Sequence, residues 1–186
     1  VVFPHGGTDA QVNNPLFWQK YWPTISSALS AGADEIQLDY IRYRSDSPPN
    51  PNKIDKILKV VKWYKTKLHA HNTPIQAAVF GITAFHPALR IGQDMNEFIK
   101  VVDVVCPMVY PSHWEPQAKY GRAPYRTVLN AVQRIKQNQP PKHSTRIIPY
   151  IEMSNYRIHH TRNETKHYIL RQIQAAQDSG SDGWYA

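Results

Sequence analysis

Apolar residues recur along the chain with two periods, one typical of strands and one typical of helices. Alternating or continuous apolar runs predict strands, and apolar residues spaced three and four apart predict helices. The predicted strands are Glu35–Tyr43, Ile75–Phe80, Asp103–Tyr110 and Arg146–Glu152, with another strand beginning at Trp184. The predicted helices run from Leu16 to Leu29, Lys53 to Leu68, Asp94 to Val102, Pro124 to Gln137, and from a cap at Thr161 or Asn163 to Gln177.

This alternation of strand and helix predicts right-handed βαβ units and therefore a parallel sheet of the α/β class. The chain has 186 residues, whereas a complete eight-stranded TIM barrel needs about 250. It opens on Val1 without an initiator Met and ends near Trp184, where the pattern predicts the start of a strand. We therefore expect a single domain, residues 1–186, that forms part of a parallel α/β barrel and is a piece of a longer chain. Pro107 predicts a distortion within the third strand.

The strand Glu35–Tyr43 carries the most unusual pattern. One face would hold Ile36, Leu38 and Tyr40, while the other would hold Gln37, Asp39 and Ile41. Strands of a parallel sheet are normally apolar on both faces, so polar side chains need partners or water there. The end of such a strand opens into the mouth of a barrel, where catalytic groups usually lie. Asp39 is therefore a candidate catalytic carboxylate; capping a loop or pairing with Arg42 are the alternatives.

The other predicted strand ends add a second carboxylate, Glu152, and several aromatic side chains. Paired carboxylates and aromatic rings are typical of carbohydrate sites, where the carboxyl groups act as acid and as nucleophile or base. A loop salt bridge with Arg157 is the alternative for Glu152. The candidate substrate-binding residues at these ends are Arg42, Tyr43, Phe80, Met108, Tyr110, His113 and Trp184.

The formal net charge of +8 raises the question of an anionic partner. Many of the cations fall at helical spacing, at Lys53, Lys56, Lys59, Lys62, Lys65 and Lys67, which predicts a solvated helix face. Nucleic-acid binding rests on charge alone, because no recognition motif for it is present. We therefore expect no specific nucleic-acid partner.

Other kinds of chemistry lack their motifs. The sequence has no phosphate-binding glycine loop and no nucleophile elbow, so no nucleotide cofactor is expected. The histidines, among them His5, His86, His159 and His160, lack metal-site spacing, so no metal is expected. The one cysteine, Cys106, lies in an apolar run and is expected to be buried.

The run from Asp34 to Tyr43 resembles the signature strand of a bacterial family of glycoside hydrolase domains, which are TIM barrels related to the α-amylase-like glycosidases. Later runs fit in the same order, at Val79–Gly81, Val105–His113 and Asp182–Trp184. The resemblance implies a (β/α)8 barrel, of which this chain supplies the segment from the end of strand three to the start of strand eight. It also implies that Asp39 is the catalytic carboxylate.

One position departs from this family. Ala78 stands where the family usually has an inward carboxylate, so the catalytic set differs here, and Glu152 is the candidate that would compensate. Two hypotheses follow. The protein is a glycoside hydrolase acting on a polysaccharide or cell-envelope glycan, or it is a glycan-binding or assembly module on a barrel that has lost catalysis. The resemblance favours an extracytoplasmic or cell-envelope location, with the missing barrel segment or another protein chain as a further partner.

Overall fold

A computed structural model describes residues 2–141 and 144–186. Its centre is a parallel sheet in the order β1-β2-β3, with β3 pairing on its far side with both β4 and β5. Tyr185 adds a single parallel bridge to Tyr150. The sheet is therefore a parallel-stranded half-barrel. The strands are β1 (Ile36–Leu38), β2 (Ile75–Phe80), β3 (Val104–Val109), β4 (Arg146–Ile147) and β5 (Tyr150–Ile151).

Helices connect the strands and cover the outer face of the sheet. Three of them match their predicted bounds closely, because their apolar residues keep an uninterrupted helical period. These are α4 (Asn52–His69), α7 (Pro124–Asn138) and α8 (Arg162–Asp178). The shorter helices are α1 (Asp9–Asn13), α2 (Pro15–Gln19), α3 (Trp22–Ser30), α5 (Met95–Phe98) and α6 (Gln117–Tyr120).

The long first helix predicted from Leu16 to Leu29 is wrong, because this segment forms the end of α2 and the separate helix α3. Pro15 and Pro23 lie in the first turns of α2 and α3. Proline lacks the N–H that a helix interior requires, so it favours the start of a helix. The helix predicted from Asp94 to Val102 is likewise shorter, with Asp94 capping α5.

The predicted strand Glu35–Tyr43 is also too long, since β1 ends at Leu38. Tyr40 has a positive φ of 52°, which no extended strand can contain. The alternation therefore fails beyond Leu38: Tyr40 is 39% exposed, whereas Ile41 is fully buried.

The distortion predicted at Pro107 is found on one side of β3. Pro107 keeps its register with Val79 of β2, but on the other side the predicted strand Arg146–Glu152 divides into β4 and β5. The break falls at Ile148 and Pro149, opposite Cys106 and Pro107. Two prolines facing each other across a ladder cannot donate its hydrogen bonds, which explains the interruption.

The two faces of the sheet differ in polarity. The large apolar core lies between the sheet and the helices, whereas the inner face has a small cluster of Val104, Cys106 and Ile148. Cys106 is fully buried, as expected, and burial raises the pKa of its thiol to about 12. Below this cluster Glu35 accepts hydrogen bonds from Gln76 and Arg146. Polar side chains therefore occupy the concave face.

The prediction that the lysines of α4 form a solvated face is wrong for Lys53, the first of them. Lys53 is only 3% exposed, and its ammonium donates hydrogen bonds to the carbonyls of Pro48 and Arg90. Lys65 is partly buried, and its ammonium donates to the carbonyl of Val101. Within the described ranges, no helix has the length and apolarity needed to cross a membrane.

Candidate active site

Asp39 lies immediately after β1, in the turn that ends the strand. Its Oδ1 accepts a hydrogen bond from the N–H of Tyr40 at 2.7 Å, and its carbonyl accepts one from the N–H of Val2 at 2.9 Å. These bonds hold the left-handed Tyr40 in place. The carboxylate thus caps the turn, which was one alternative to catalysis, yet it remains only partly buried.

Two tyrosines lie within reach of the Asp39 charge. Burial raises the pKa of Tyr110, and the neighbouring Tyr150, Asp39 and Glu152 raise it further. Burial also raises the pKa of Tyr150, with a smaller contribution from the charge of Asp39. Both phenols therefore keep their protons at neutral pH and can donate hydrogen bonds. Tyr110, at the carboxyl end of β3, is therefore within electrostatic reach of both predicted carboxylates.

Glu152 has a very different environment from Asp39. It is 2% exposed, and its Oε2 accepts hydrogen bonds from the N–H of Ser112 at 3.0 Å and the hydroxyl of Tyr168 at 2.7 Å. Its Oε1 accepts the hydroxyl of Ser112. The backbone of Glu152 is fixed as well, through two hydrogen bonds with the amide of Gln172. The predicted alternative, a salt bridge to Arg157, does not form; instead the N–H of Arg157 donates to Ser112.

His113 links Glu152 to the open edge of the site. Its Nε2 lies 2.9 Å from the carbonyl oxygen of Asn155 and 3.4 Å from Oε1 of Glu152. Its ring contacts that of Tyr110 edge to face, with 5.9 Å between centroids. Tyr110, His113, Glu152 and Asn155 line a small cavity of about 200 Å³. The geometry thus groups four of these side chains at the ends of β3 and β5.

Arg42 does not pair with Asp39, as the second alternative for that carboxylate required. Its guanidinium donates to the carbonyl of Tyr43 at 3.0 Å and to the hydroxyl of Ser45 at 3.3 Å. The same group lies over two aromatic rings, 4.9 Å from the centroid of Tyr40 and 5.5 Å from that of Phe80. Arg42 and Phe80 therefore form a cation–π pair at the ends of β1 and β2.

Three predicted substrate-binding residues lie in other settings. Tyr43 is 1% exposed, and its hydroxyl donates to Asp9, so the structure places it in the core and away from the site. Met108 is partly buried beside Phe80 and Tyr150 in the ladder. Trp184 is 38% exposed, but it is the ring of the next residue, Tyr185, that packs against the Tyr150 ring in a tilted arrangement.

The inner face of the half-barrel adds Tyr150 to the polar positions that the sequence pattern had marked. The hydroxyl of Tyr150 donates to Oε1 of Gln37 at 2.8 Å. Among the described residues, the Nε2 atom of Gln37 is buried without a partner. Ala78 lies on the same face, 4% exposed and opposite Cys106, where a carboxylate would have entered this polar layer. The sequence did carry a signal for these polar side chains, because Gln37 and Asp39 are two residues apart and alternate residues of a strand lie on the same face.

Ser112 and Tyr168 are the other residues missed by the sequence analysis, since both hold Glu152. Phe85 is a third, because it is 43% exposed after β2 and packs edge to face on Trp114 at 6.1 Å. Aromatic side chains at strand ends were a usable signal for Phe85. No local pattern marks Tyr168, which lies in the middle of a helix.

A family model described as "Putative glycosyl hydrolase domain" matches residues 12–186. Among curated proteins, none matches the chain at a significant level.

Several solved structures share the fold. The spore cortex-lytic enzyme SleL of Bacillus megaterium QM B1551 superposes with a TM-score of 0.65 at 12% identity, covering 95% of this chain and 50% of that one. SleL of Bacillus cereus gives 0.54 at 19% identity, covering 75% and 30%. Group IV chitinase of Ostrinia furnacalis, in complex with allosamidin, gives 0.53 at 17% identity, covering 78% and 44%. The chain thus spans between 30% and 50% of the length of these proteins.

Proposed function

The chain belongs to this glycosyl hydrolase domain family, and we propose that the protein is a glycoside hydrolase acting on a polysaccharide or cell-envelope glycan. The similar structures come from enzymes named for the lysis of spore cortex and from a chitinase. Their names support an extracytoplasmic site of action and a carbohydrate substrate. We also propose that the half-barrel is part of a complete (β/α)8 barrel, with residues 1–186 forming one unit of it.

One observation carries the proposal. Asp39 is a partly buried carboxylate at the carboxyl end of a parallel strand, and its charge reaches the protonated phenols of Tyr110 and Tyr150, whose pKa values it helps to raise. A carboxylate in this position stabilises positive charge that develops on a sugar ring, or attacks it as a nucleophile. The phenol of Tyr110 can donate a hydrogen bond to a sugar hydroxyl or carbonyl, whereas the Tyr150 hydroxyl already donates to Gln37. The exposed rings of Tyr40 and Phe85 offer apolar faces to sugars.

Glu152 was the candidate general acid, but its contacts support a different assignment. A general acid must reach the leaving oxygen, directly or through one water. The carboxylate of Glu152 is 2% exposed and already accepts three hydrogen bonds from Ser112 and Tyr168. We assign it as a positioning residue that fixes Ser112 and His113 beside Tyr110. The group that protonates the leaving oxygen would then come from elsewhere in the complete barrel.

A hydrolysis assay on the protein that carries this domain tests the proposal. Asp39→Asn keeps an oxygen that can accept the Tyr40 N–H, so the turn should survive while product release falls by several orders of magnitude. Asp46→Asn is the matched control, because Asp46 lies in the next loop, is exposed, and forms an ion pair with Arg44 at the surface. Neutral and charged glycans would be screened with all three proteins. Activity retained by Asp39→Asn would overturn the assignment.

The second candidate function is a glycan-binding or assembly module without catalysis. It is favoured by Ala78, which leaves the inner face without the family's carboxylate, and by the internal hydrogen bonds of Glu152. This alternative predicts saturable binding of one glycan by both the parent and Asp39→Asn, with no product from either. Direct calorimetric binding beside the hydrolysis screen separates the two functions.

A further inference from the structure

A cleft of about 1160 Å³ opens on the outer side of the half-barrel, between the first turns of α7 and α8. Its walls carry three arginines and three histidines but only one carboxylate, that of Glu164. We call this the basic cleft and define it by Arg122, Arg126, Arg171, His159 and His167. Neither strand ends nor family motifs singled it out, and the proposed hydrolysis makes no use of it.

The arginines of the basic cleft form no direct ion pairs with the described carboxylates, although the charge of Arg171 reaches Asp178 and contributes to lowering the pKa of that carboxyl. In residues 2–141 and 144–186, no carboxylate lies within 4.0 Å of Arg122, Arg126 or Arg171. Arg171 is held over the ring of Tyr125, 4.2 Å from its centroid, which orients its guanidinium. The carboxylate of Glu164 is occupied, because it accepts the N–H of Thr161 at 2.7 Å in a capping box. The net charge of this surface is therefore positive.

The first turn of α7 adds hydrogen-bond donors to this charge. This helix of 15 residues has no side-chain cap and no acidic residue in its first turn. Its N-terminus therefore keeps uncapped backbone N–H groups, with Pro124 in the first turn and Arg126 close behind. Uncapped N–H groups beside arginines form a setting in which a carboxylate or phosphate group is favourable.

The basic cleft adjoins the proposed active site. α7 and α8 follow β3 and β5 in the chain, so their first turns lie at the carboxyl end of the strands, the same end as Tyr110 and Glu152. Tyr168 separates the two: its side chain lines the cleft, and its hydroxyl donates to Glu152. A polymer lying over the strand ends can therefore extend into the cleft. We favour a glycan over a nucleic acid here, because the cleft is joined to the proposed carbohydrate site through the Tyr168–Glu152 hydrogen bond.

We propose that the basic cleft binds carboxylate or phosphate groups carried by the glycan that the neighbouring site acts on. The inference rests on the proposed function for the identity of the polymer, but it concerns different residues. It makes the substrate an anionic glycan, with Arg122, Arg126 and Arg171 forming charge-assisted hydrogen bonds to its acidic substituents.

Calorimetric titration of the protein carrying Asp39→Asn tests this inference without turnover. Polygalacturonate and phosphomannan supply the carboxylate and the phosphate, with neutral galactan and mannan as their counterparts. Arg126→Gln removes one exposed, unpaired guanidinium, and Arg134→Gln removes another from the far end of the same helix as the matched control. We expect Arg126→Gln to weaken binding of at least one anionic glycan on the order of tenfold. Arg134→Gln should leave it unchanged.

Two results would overturn the inference. One is equal affinity for the anionic and neutral members of both pairs; the other is an equal effect of Arg126→Gln and Arg134→Gln. Equally tight binding of a single-stranded oligonucleotide, lost to the same extent in Arg126→Gln, would make the cleft a general polyanion surface and also reject a glycan site. If hydrolysis is absent but binding depends on Arg126, the proposed hydrolase fails while the cleft assignment stands.

Discussion

The hydroxyl of Tyr168 in α8 donates a hydrogen bond of 2.7 Å to the buried carboxylate of Glu152 at the end of β5. Burial and this bond raise the pKa of Tyr168 above its ordinary value, so the phenol keeps its proton and remains a donor at neutral pH. Together with Ser112, it surrounds the carboxylate with donors only. The carboxylate of Glu152 therefore connects three elements by hydrogen bonds: the helix α8, the end of its own strand β5, and the turn that carries Ser112 and His113.

Glu152→Gln should therefore destabilise the protein although it preserves size and shape. The new amide NH₂ would face one or more of the three donors, leaving buried groups unpaired at a cost of about 2 to 3 kcal/mol. Urea unfolding measures the change, with Tyr125→Phe as a control that removes a phenol hydrogen bond at the surface. An unfolding midpoint of Glu152→Gln equal to that of the parent would contradict the claim that the hydrogen bonds of the Glu152 carboxylate stabilise the fold.

Gly81→Ala should distort the packing between the end of β2 and the end of β3, close to the turn that carries Ser112. A Cβ at Gly81 would lie 2.7 Å from the carbonyl oxygen of Met108 and 2.9 Å from the Trp114 ring. The backbone of β3 must move to admit it, at a cost of about 1 to 3 kcal/mol.

The near-UV circular dichroism of the tryptophans reports this movement. Gly32→Ala is the control, since Gly32 has a φ of 91° but open space around it, so its cost is backbone strain remote from Trp114. If the two variants give the same near-UV spectrum, the close packing at Gly81 does not hold in solution.

The sequence predicts what is encoded locally. Helices α4, α7 and α8 and strands β2 and β3 follow from apolar period alone, and Asp39 and Glu152 follow from their places after strands. The partners of Glu152 do not, because Ser112 and Tyr168 approach it only when a loop and a helix pack together. Tyr43 was misplaced for a related reason: the left-handed turn at Tyr40 changes the direction of every side chain after it.

Asp103 should control part of the acid sensitivity of the fold. Burial opposes its ionisation, but hydrogen bonds from His69 and from the N–H of Ile75, together with the charge of Lys65, lower its pKa below the ordinary 3.8. As pH falls, the unfolded chain therefore takes up this proton first. The stability that Asp103 contributes is complete well above pH 3.8 and is lost as pH falls through the lower folded pKa.

Asp103→Asn should thus cost about 1 kcal/mol near neutral pH and progressively less below pH 4. Unfolding free energies of the variant and parent, measured from pH 7 down to pH 2.5 or so, should converge at the acid end. Asp34→Asn, at an exposed carboxylate before β1, provides the comparison. A constant difference across the whole range would show that the carboxylate charge of Asp103 is not what stabilises the fold.

We expect Lys53 to hold in place the loops that contain Pro48 and Arg90, although the sequence pattern assigned it to a solvated helix face. Its ammonium lies 2.7 Å from the carbonyl oxygen of Pro48 and 3.2 Å from that of Arg90, and 4.7 Å from the centroid of the Tyr43 ring. Two carbonyls and a ring face thus replace water around a side chain that is 3% exposed. Without these partners, burial of the charge would be unfavourable.

Lys53→Met keeps the length of the side chain but removes both hydrogen bonds, so the loop that contains Pro48 loses its attachment to α4. We expect a loss of about 1 to 3 kcal/mol and faster proteolytic cleavage within residues 45–51. Lys59→Met is the matched control, because Lys59 is exposed on the same helix. Limited proteolysis followed by mass spectrometry locates the cut. Equal cleavage rates in the two variants would mean that other contacts hold this loop, whereas cleavage specific to Lys53→Met identifies the buried ammonium as its anchor.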